Sequence, residues 1–231
     1  MKSLKTHLER LNAIKRKKYH PLIHRIHKKH GISKKTLFYI KEYGPHTHIP
    51  WVILKESIKI LLFASIISSF GGFALESIKG VFVSIAPLLI ILPALNSIIG
   101  GYGTIISSKL STMIHEGLID KMMWGQEYIK KMFKKVIVLA VINALFSSAM
   151  ALAFSTFAGY SPSPIVFLKV LAISLIDIVF LVIVLFFVSI FAGLYFFRKQ
   201  EDPNNLLIPL TTSIADFGNM VILAGLVLLF F

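Results

Sequence analysis

The stretch Leu206-Leu-Ile-Pro-Leu-Thr-Thr-Ser-Ile-Ala-Asp216-Phe-Gly-Asn219-Met-Val-Ile-Leu-Ala-Gly-Leu-Val-Leu-Leu-Phe-Phe231 carries a single formal charge, Asp216, in a run long enough to cross a lipid bilayer. A hydrocarbon core ~30 Å thick needs about 20 mostly apolar residues in a helix that rises ~1.5 Å per residue. Four further runs of this kind precede it, at about Ile53–Leu75, Val81–Ile99, Val136–Phe157 and Pro164–Phe197. The chain is therefore expected to be an all-α integral membrane protein with five transmembrane helices. The fourth run, on the order of 50 Å as one helix, must tilt or protrude, and splitting it leaves no room for a turn. The second contains Pro87 and Pro93 and then meets Gly100, Gly101 and Gly103, a pattern that implies a kinked or broken helix.

Composition supports this class. The 231 residues are 55% hydrophobic and 16% charged, with a mean hydropathy of +0.75, which fits a lipid-embedded chain better than a soluble one. A net charge of +14 raises the question of nucleic-acid binding, but 13 of the 25 Lys and Arg lie between Lys2 and Lys41 and are not spread over a folded domain. That asymmetry reads as topology. Positive residues stay on the cytoplasmic side of short loops. They crowd the N-terminal segment, the region from Lys109 to Lys135, and Arg198–Lys199, whereas the alternate side has only Lys79 and an uncharged Ala158–Ser163 connection. The N-terminus is expected inside and the C-terminus outside, with residues 1–50 a basic cytoplasmic segment and 51–231 the membrane domain. The N-terminus lacks the apolar run and cleavage site of a signal peptide, so the first span is expected to act as its own insertion signal. The absence of cysteine excludes disulfide scaffolds, thiolate catalysis and thiolate zinc sites.

An odd number of spans rules out a simple internal duplication, and five helices make a thin wall for a polar pathway. A homodimer is expected, its pathway shared by two copies about a twofold axis.

Of the eleven acidic residues, nine fall in the N-terminal segment, loops or span ends. Asp177 and Asp216 remain inside spans. An intramembrane carboxylate costs roughly 2.5–3.5 kcal/mol or more at the helix centre, so each marks a candidate functional site facing protein or water. Thr212, Asp216 and Asn219 share one helical face. With Thr211, Ser213 and Asn205 close in sequence, the segment offers hydroxyl, amide and carboxylate oxygens and no soft donors. Such a set suits a hard cation: Mg²⁺, with Mn²⁺, Co²⁺ or Ca²⁺ as other candidates. Two Asp216 carboxylates across a dimer axis could hold hydrated Mg²⁺ through its waters. The bland alternative is that Asp216 hydrogen-bonds a neighbouring helix as packing glue. Asp177 has Ile, Leu and Val for company, so packing is as good an account of it as function.

The other unusual stretch is Pro93-Ala-Leu-Asn-Ser-Ile-Ile-Gly-Gly-Tyr-Gly-Thr-Ile-Ile-Ser-Ser-Lys-Leu-Ser-Thr112. The glycines there, Gly100 and Gly101 among them, and Asn96 can expose backbone carbonyls to an ion, although small residues in spans also serve close helix packing.

These two stretches resemble the MgtE-type magnesium channels and transporters and their eukaryotic solute-carrier relatives. The Pro93-Ala-Leu start, Gly100 and the Ser108-Lys-Leu-Ser-Thr112 end look like the family's second span. Asp202-Pro-Asn-Asn, followed by Pro209-Leu-Thr-Thr-Ser-Ile-Ala-Asp216, looks like its Asp-Pro loop and cation-filter helix. The resemblance covers roughly residues 50 to 231. It implies a dimeric pore between spans two and five, with Asp216 matching the filter aspartate. Thr212, Asn219, Asn96, Gly100 and Gly101 are the accompanying metal-site candidates, and Asp177, Asp202, Ser108, Pro93 and Pro209 the pore or gating candidates. The family usually has Asn where this chain has Gly101, and the resemblance does not include the sensor and CBS domains of bacterial members.

His20, His24, His27 and His30 recur at helical spacing among Lys15–Lys18 and Lys28–Lys29. A zinc site could use two of them, but no carboxylate or thiol completes it. A basic segment on anionic lipid headgroups, or against an acidic cytoplasmic regulatory protein, fits the composition better, since each Lys or Arg near such a surface gains ~1 kcal/mol. The expected activity is passage of a divalent cation, Mg²⁺ foremost, across the cell membrane. A proton- or sodium-coupled carrier using Asp177 and Asp216, and a membrane assembly or regulatory subunit acting through the basic arm, are the alternatives. No nucleophile–base pair or metal-ligand cluster suggests an enzyme.

Overall fold

The computed structural model describes residues 6–7, 22–32, 36–37, 40, 49–115, 127–198 and 203–231. No strand occurs among them. Helix α1 spans Leu22–His30, α2 Ile49–Ser77, α3 Lys79–Ser84, α4 Ala86–His115, α5 Glu127–Phe157, α6 Pro164–Arg198 and α7 Pro203–Phe230. Five of these, α2 and α4 to α7, are long and apolar enough to cross a membrane.

The spans end where the sequence chemistry ends them. Pro87 has no N–H to give the Val83 carbonyl and its ring would clash with it, so α3 cannot run on into α4. Ile85, with φ −120° and ψ 86°, makes the break, and Pro87 sits in the tolerant first turn of α4. At the far end of α5 the Tyr160 N–H reaches the Ser155 carbonyl at 3.0 Å and the Gly159 N–H the Thr156 carbonyl at 3.0 Å. This double closure needs a left-handed residue, and Gly159 at φ +84° provides it. Four residues on, Ser163 Oγ accepts from the Val166 N–H at 3.3 Å, capping α6 just before Pro164.

The helix break expected around the second run therefore lies at Ile85, upstream of Pro87. Past it, α4 continues through Pro93 and all three glycines to His115. The second span is thus longer than the Val81–Ile99 expectation. The reason is that glycine costs only ~1 kcal/mol in a helix, which packing against three neighbours offsets. Likewise α5 begins at Glu127, not Val136, so Lys130, Lys131, Lys134 and Lys135 ride on a helix; Lys131 pairs with Glu127 at 2.7 Å. The fourth run is one unbroken helix of 35 residues.

Helices α4 to α7 form the bundle, with α6 packed against α4, α5 and α7. Its Val170, Ile173, Ile178, Val182, Leu185 and Phe186 are fully buried. Phe186 meets Phe133 of α5 edge-on at 4.9 Å. Helix α2 lies outside this bundle and packs against α7. Its remaining surface, including Leu62, Phe63, Phe70 and Phe73, is exposed hydrocarbon suited to lipid. Glycines set the closest approaches. A Cβ on Gly71 of α2 would lie 3.3 Å from the Phe217 backbone of α7, and one on Gly103 of α4 would lie 3.2 Å from Thr211 Cβ.

The N-terminal helix α1 buries Ile23 and Ile26 with Leu37 in a small cluster separate from the span core. His27 Nδ1 lies 2.7 Å from the Ile32 carbonyl, and the His30 ring meets that of His7 at 5.8 Å. His20 lies outside the described residues, as does the side chain of His24.

Candidate functional site

Antiparallel packing of α4 and α7 places their two polar stretches side by side. Asn96 Nδ2 donates to Asp216 Oδ1 at 2.9 Å, and Asn219 Nδ2 donates to Asn96 Oδ1 at 2.9 Å. The result is a relay. Asn219, fully buried on α7, fixes which way the Asn96 amide points, and Asn96 then presents its N–H to the carboxylate. Both bonds cross between helices, joining residues far apart in sequence.

Asp216 is half-buried and opens onto a recess of about 470 Å³. Pro93, Asn96, Ser97, Gly100, Gly101 and Thr104 form its α4 side, and Thr212 and Asp216 its α7 side. The glycines make the space. Beyond Gly101 no atom lies within 4 Å of where a Cβ would stand, and beyond Gly100 only Thr212 Cγ2 does, at 3.8 Å. Their carbonyls belong to the continuous helix, and that of Gly100 also accepts from Thr104 Oγ1 at 3.2 Å. The recess faces away from the bundle, since Pro93 and Ser97 are exposed.

Of the residues singled out from sequence, Asp216, Thr212, Asn96, Gly100, Gly101 and Pro93 line this recess. Asn219 stands behind it as the anchor of the relay. Ser108 is exposed further along α4 and lines a neighbouring recess. Pro209 lies within α7, off the recess wall. Asp177 is fully buried on α6, and neither carboxylate oxygen has a hydrogen-bond partner. Asp202 lies outside the described residues.

Three wall or neighbour residues were not singled out. Ser97 and Thr104 follow Pro93 and Gly100 at one-turn spacing, a signal that stepping by four along α4 would have found. Ser68 of α2 sits beside the Asp216 carboxyl; its helix reads as a plain lipid anchor, and nothing in sequence pairs it with α7.

Behind the recess, Ser107 Oγ lies 3.1 Å from Thr211 Oγ1 and 3.2 Å from Ser189 Oγ, a buried hydroxyl cluster that ties α4, α6 and α7. Among the described residues no three His, Asp or Glu side chains gather as a chelating set. A single chain thus offers one carboxylate, one amide and hydroxyls in an open recess, with a second amide, Asn219, behind it. Such an arrangement can attract a cation and hydrogen-bond its water shell, but it cannot replace that shell with direct ligands.

A family model described as MgtE, divalent cation transporter, matches residues 92–226, which include both polar stretches and the whole recess wall on α4 and α7. No curated protein and no solved structure matches the chain.

Proposed function

Since the chain belongs to the MgtE family of divalent cation transporters, we propose that it moves hydrated Mg²⁺ across the cell membrane as a homodimer, along a path between α4 and α7 with Asp216 as the filter. The observation that carries this reading is the Asn219–Asn96–Asp216 relay at the wall of an open recess.

Size and chemistry support the hydrated form. Six waters occupy roughly 180 Å³ at their liquid volume, less than the recess provides. Mg²⁺ dehydrates reluctantly and favours oxygen partners. One carboxylate per chain gives a weak site, from which the ion can leave; two across a twofold axis supply the opposing pair that neutralises its charge. The open side of the recess, with Pro93 and Ser97 exposed, is where the second copy would close the wall. In this reading Asn96 holds the carboxylate with one N–H. Thr212 and Ser97 supply hydroxyls to the outer waters.

The test is Mg²⁺ uptake into proteoliposomes containing the purified protein. Asp216→Asn keeps the shape and removes the charge, and uptake is expected to fall at least tenfold while the protein stays folded and dimeric. Uptake unchanged by this substitution defeats the reading. A second reading, coupling to a proton or sodium gradient, is favoured by Asp177, a buried carboxyl without a hydrogen-bond partner. Uptake that collapses when those gradients are dissipated distinguishes it.

A further inference from the structure

Thr104 lines two recesses. One is the Asp216 recess; the other, about 610 Å³, continues along α4 toward His115 and is walled by Ser108, Lys109 and Thr112, with Tyr128 of α5 opposite. The residues from Asn96 through Gly100, Thr104 and Ser108 to Thr112 succeed one another at one-turn spacing, so both recesses lie on one face of α4. An ion that leaves Asp216 along this face passes Lys109.

A cation on a cation path is a contradiction unless its charge is cancelled, and among the described residues no carboxylate pairs with it. Lys109 is exposed. The ion pairs Glu76–Lys79, between α2 and α3, and Glu127–Lys131, within α5, leave it out. Asp216 is too far to serve, because Asn96 and Lys109 are separated by about 20 Å along α4, more than twice the ~8 Å screening length at physiological salt.

We propose that Lys109 is an electrostatic brake on the divalent-cation path, a rate- and selectivity-determining residue at the mouth opposite the filter. It acts through its field alone. An ammonium ~8 Å from a divalent ion in a water-filled vestibule lowers the ion's occupancy about fivefold, and that of a monovalent ion only about twofold. The brake therefore acts most strongly on the ions that the filter favours, and it weakens as salt rises. The hydroxyls of Thr104, Ser108 and Thr112 beside it keep the vestibule wet, so that the ion there retains its waters.

This inference rests on the path assigned to Asp216, and the assay separates the two. Mg²⁺ uptake into proteoliposomes is measured at low and high ionic strength for the wild type and for Asp216→Asn, Lys109→Arg, Lys109→Gln and Lys109→Glu. Lys109→Gln is expected to raise uptake three- to fivefold at low salt and Lys109→Glu to raise it further. Lys109→Arg stays at the wild-type rate, and the differences shrink at high salt. If Asp216→Asn abolishes uptake while Lys109→Gln and Lys109→Glu match the wild type at both salts, the brake is wrong and the filter stands. A loss of uptake in both Lys109→Gln and Lys109→Glu, rescued by Lys109→Arg, also overturns the brake, since it makes the positive charge a requirement. If Asp216→Asn leaves uptake unchanged, or the wild type shows none, the path and the brake fall together.

Discussion

Asn96 Nδ2 lies 2.9 Å from Asp216 Oδ1, across the α4–α7 interface and 120 residues apart in sequence. This bond orients the carboxylate at the recess: it occupies one oxygen, and Ser68 of α2 adds a second hydrogen bond to the same carboxyl. It also depends on a third residue, since the Asn96 amide is held by Asn219 at 2.9 Å. The Asp216 carboxylate is therefore an oriented group, whose direction is set from behind.

Removing the relay should impair transport without removing the charge. Asn96→Ala leaves Asp216 free to rotate and deprives Asn219 of its acceptor. A hydrogen bond to a charged group contributes about 1.5–3 kcal/mol. Mg²⁺ uptake is expected to fall about tenfold, with thermal stability reduced by only a few degrees. Asn219→Leu is expected to fall in the same direction, because it releases the Asn96 amide. Equal uptake in both variants and the wild type shows that the orientation is irrelevant.

The glycines of α4 divide into two kinds, and substitution separates them. No atom lies within 4 Å of a Cβ built on Gly101, whereas one on Gly103 would lie 3.2 Å from Thr211. Gly101→Leu projects into the recess and is expected to abolish uptake while leaving the melting temperature of the detergent-solubilised protein within a few degrees of wild type. Gly103→Val forces α4 and α7 apart, an overpacking cost of about 1–3 kcal/mol, and is expected to lower the melting temperature. The two melting curves and one uptake assay check both.

Much of this was legible in the chain. Asp216 was conspicuous because a charge stands out in an apolar run, Thr212 followed from helical spacing, and Asn96 was picked out for its backbone carbonyl in a glycine-rich stretch, whereas its side chain is what meets Asp216. The five spans were legible from length and hydropathy. The register between α4 and α7 was not, so sequence reasoning put Asn219 on the ion-facing side with Asp216 when it stands behind Asn96. Ser68 was invisible for the same reason: the approach of α2 to α7 at Gly71 is a tertiary event, and three similar glycines elsewhere in the spans give no such contact. Span boundaries slipped where glycine and lysine, read as loop signals, continue a helix whose neighbours stabilise it.

The close approach at Gly71 provides a test of how α2 is held. Its Cβ would lie 2.8 Å from Met220 Sδ, which can swing away, but 3.3 Å from the Phe217 backbone, which cannot. Gly71→Ala is expected to cost about 1 kcal/mol and Gly71→Leu to release α2 from α7 altogether. Because Ser68 rides on the same helix beside Asp216, the Leu variant should also lose uptake. Protease accessibility of α2 in detergent, compared between the Ala and Leu variants, reads the release directly.

Asp177 is the opposite case from Asp216, a carboxyl with no hydrogen-bond partner and no exposure. Leaving a buried polar group unpaired costs about 1–3 kcal/mol, and replacing it with an apolar residue of similar volume removes that cost. On packing alone, Asp177→Leu is expected to raise the melting temperature. The same variant separates two accounts of why the carboxyl is there. If it is structural, Mg²⁺ uptake by the more stable protein stays at the wild-type rate under every gradient. If it carries a coupling ion, uptake loses its dependence on a proton or sodium gradient even as stability rises. A fall in melting temperature contradicts the premise of both, since it means that the carboxyl makes a favourable contact in the folded protein.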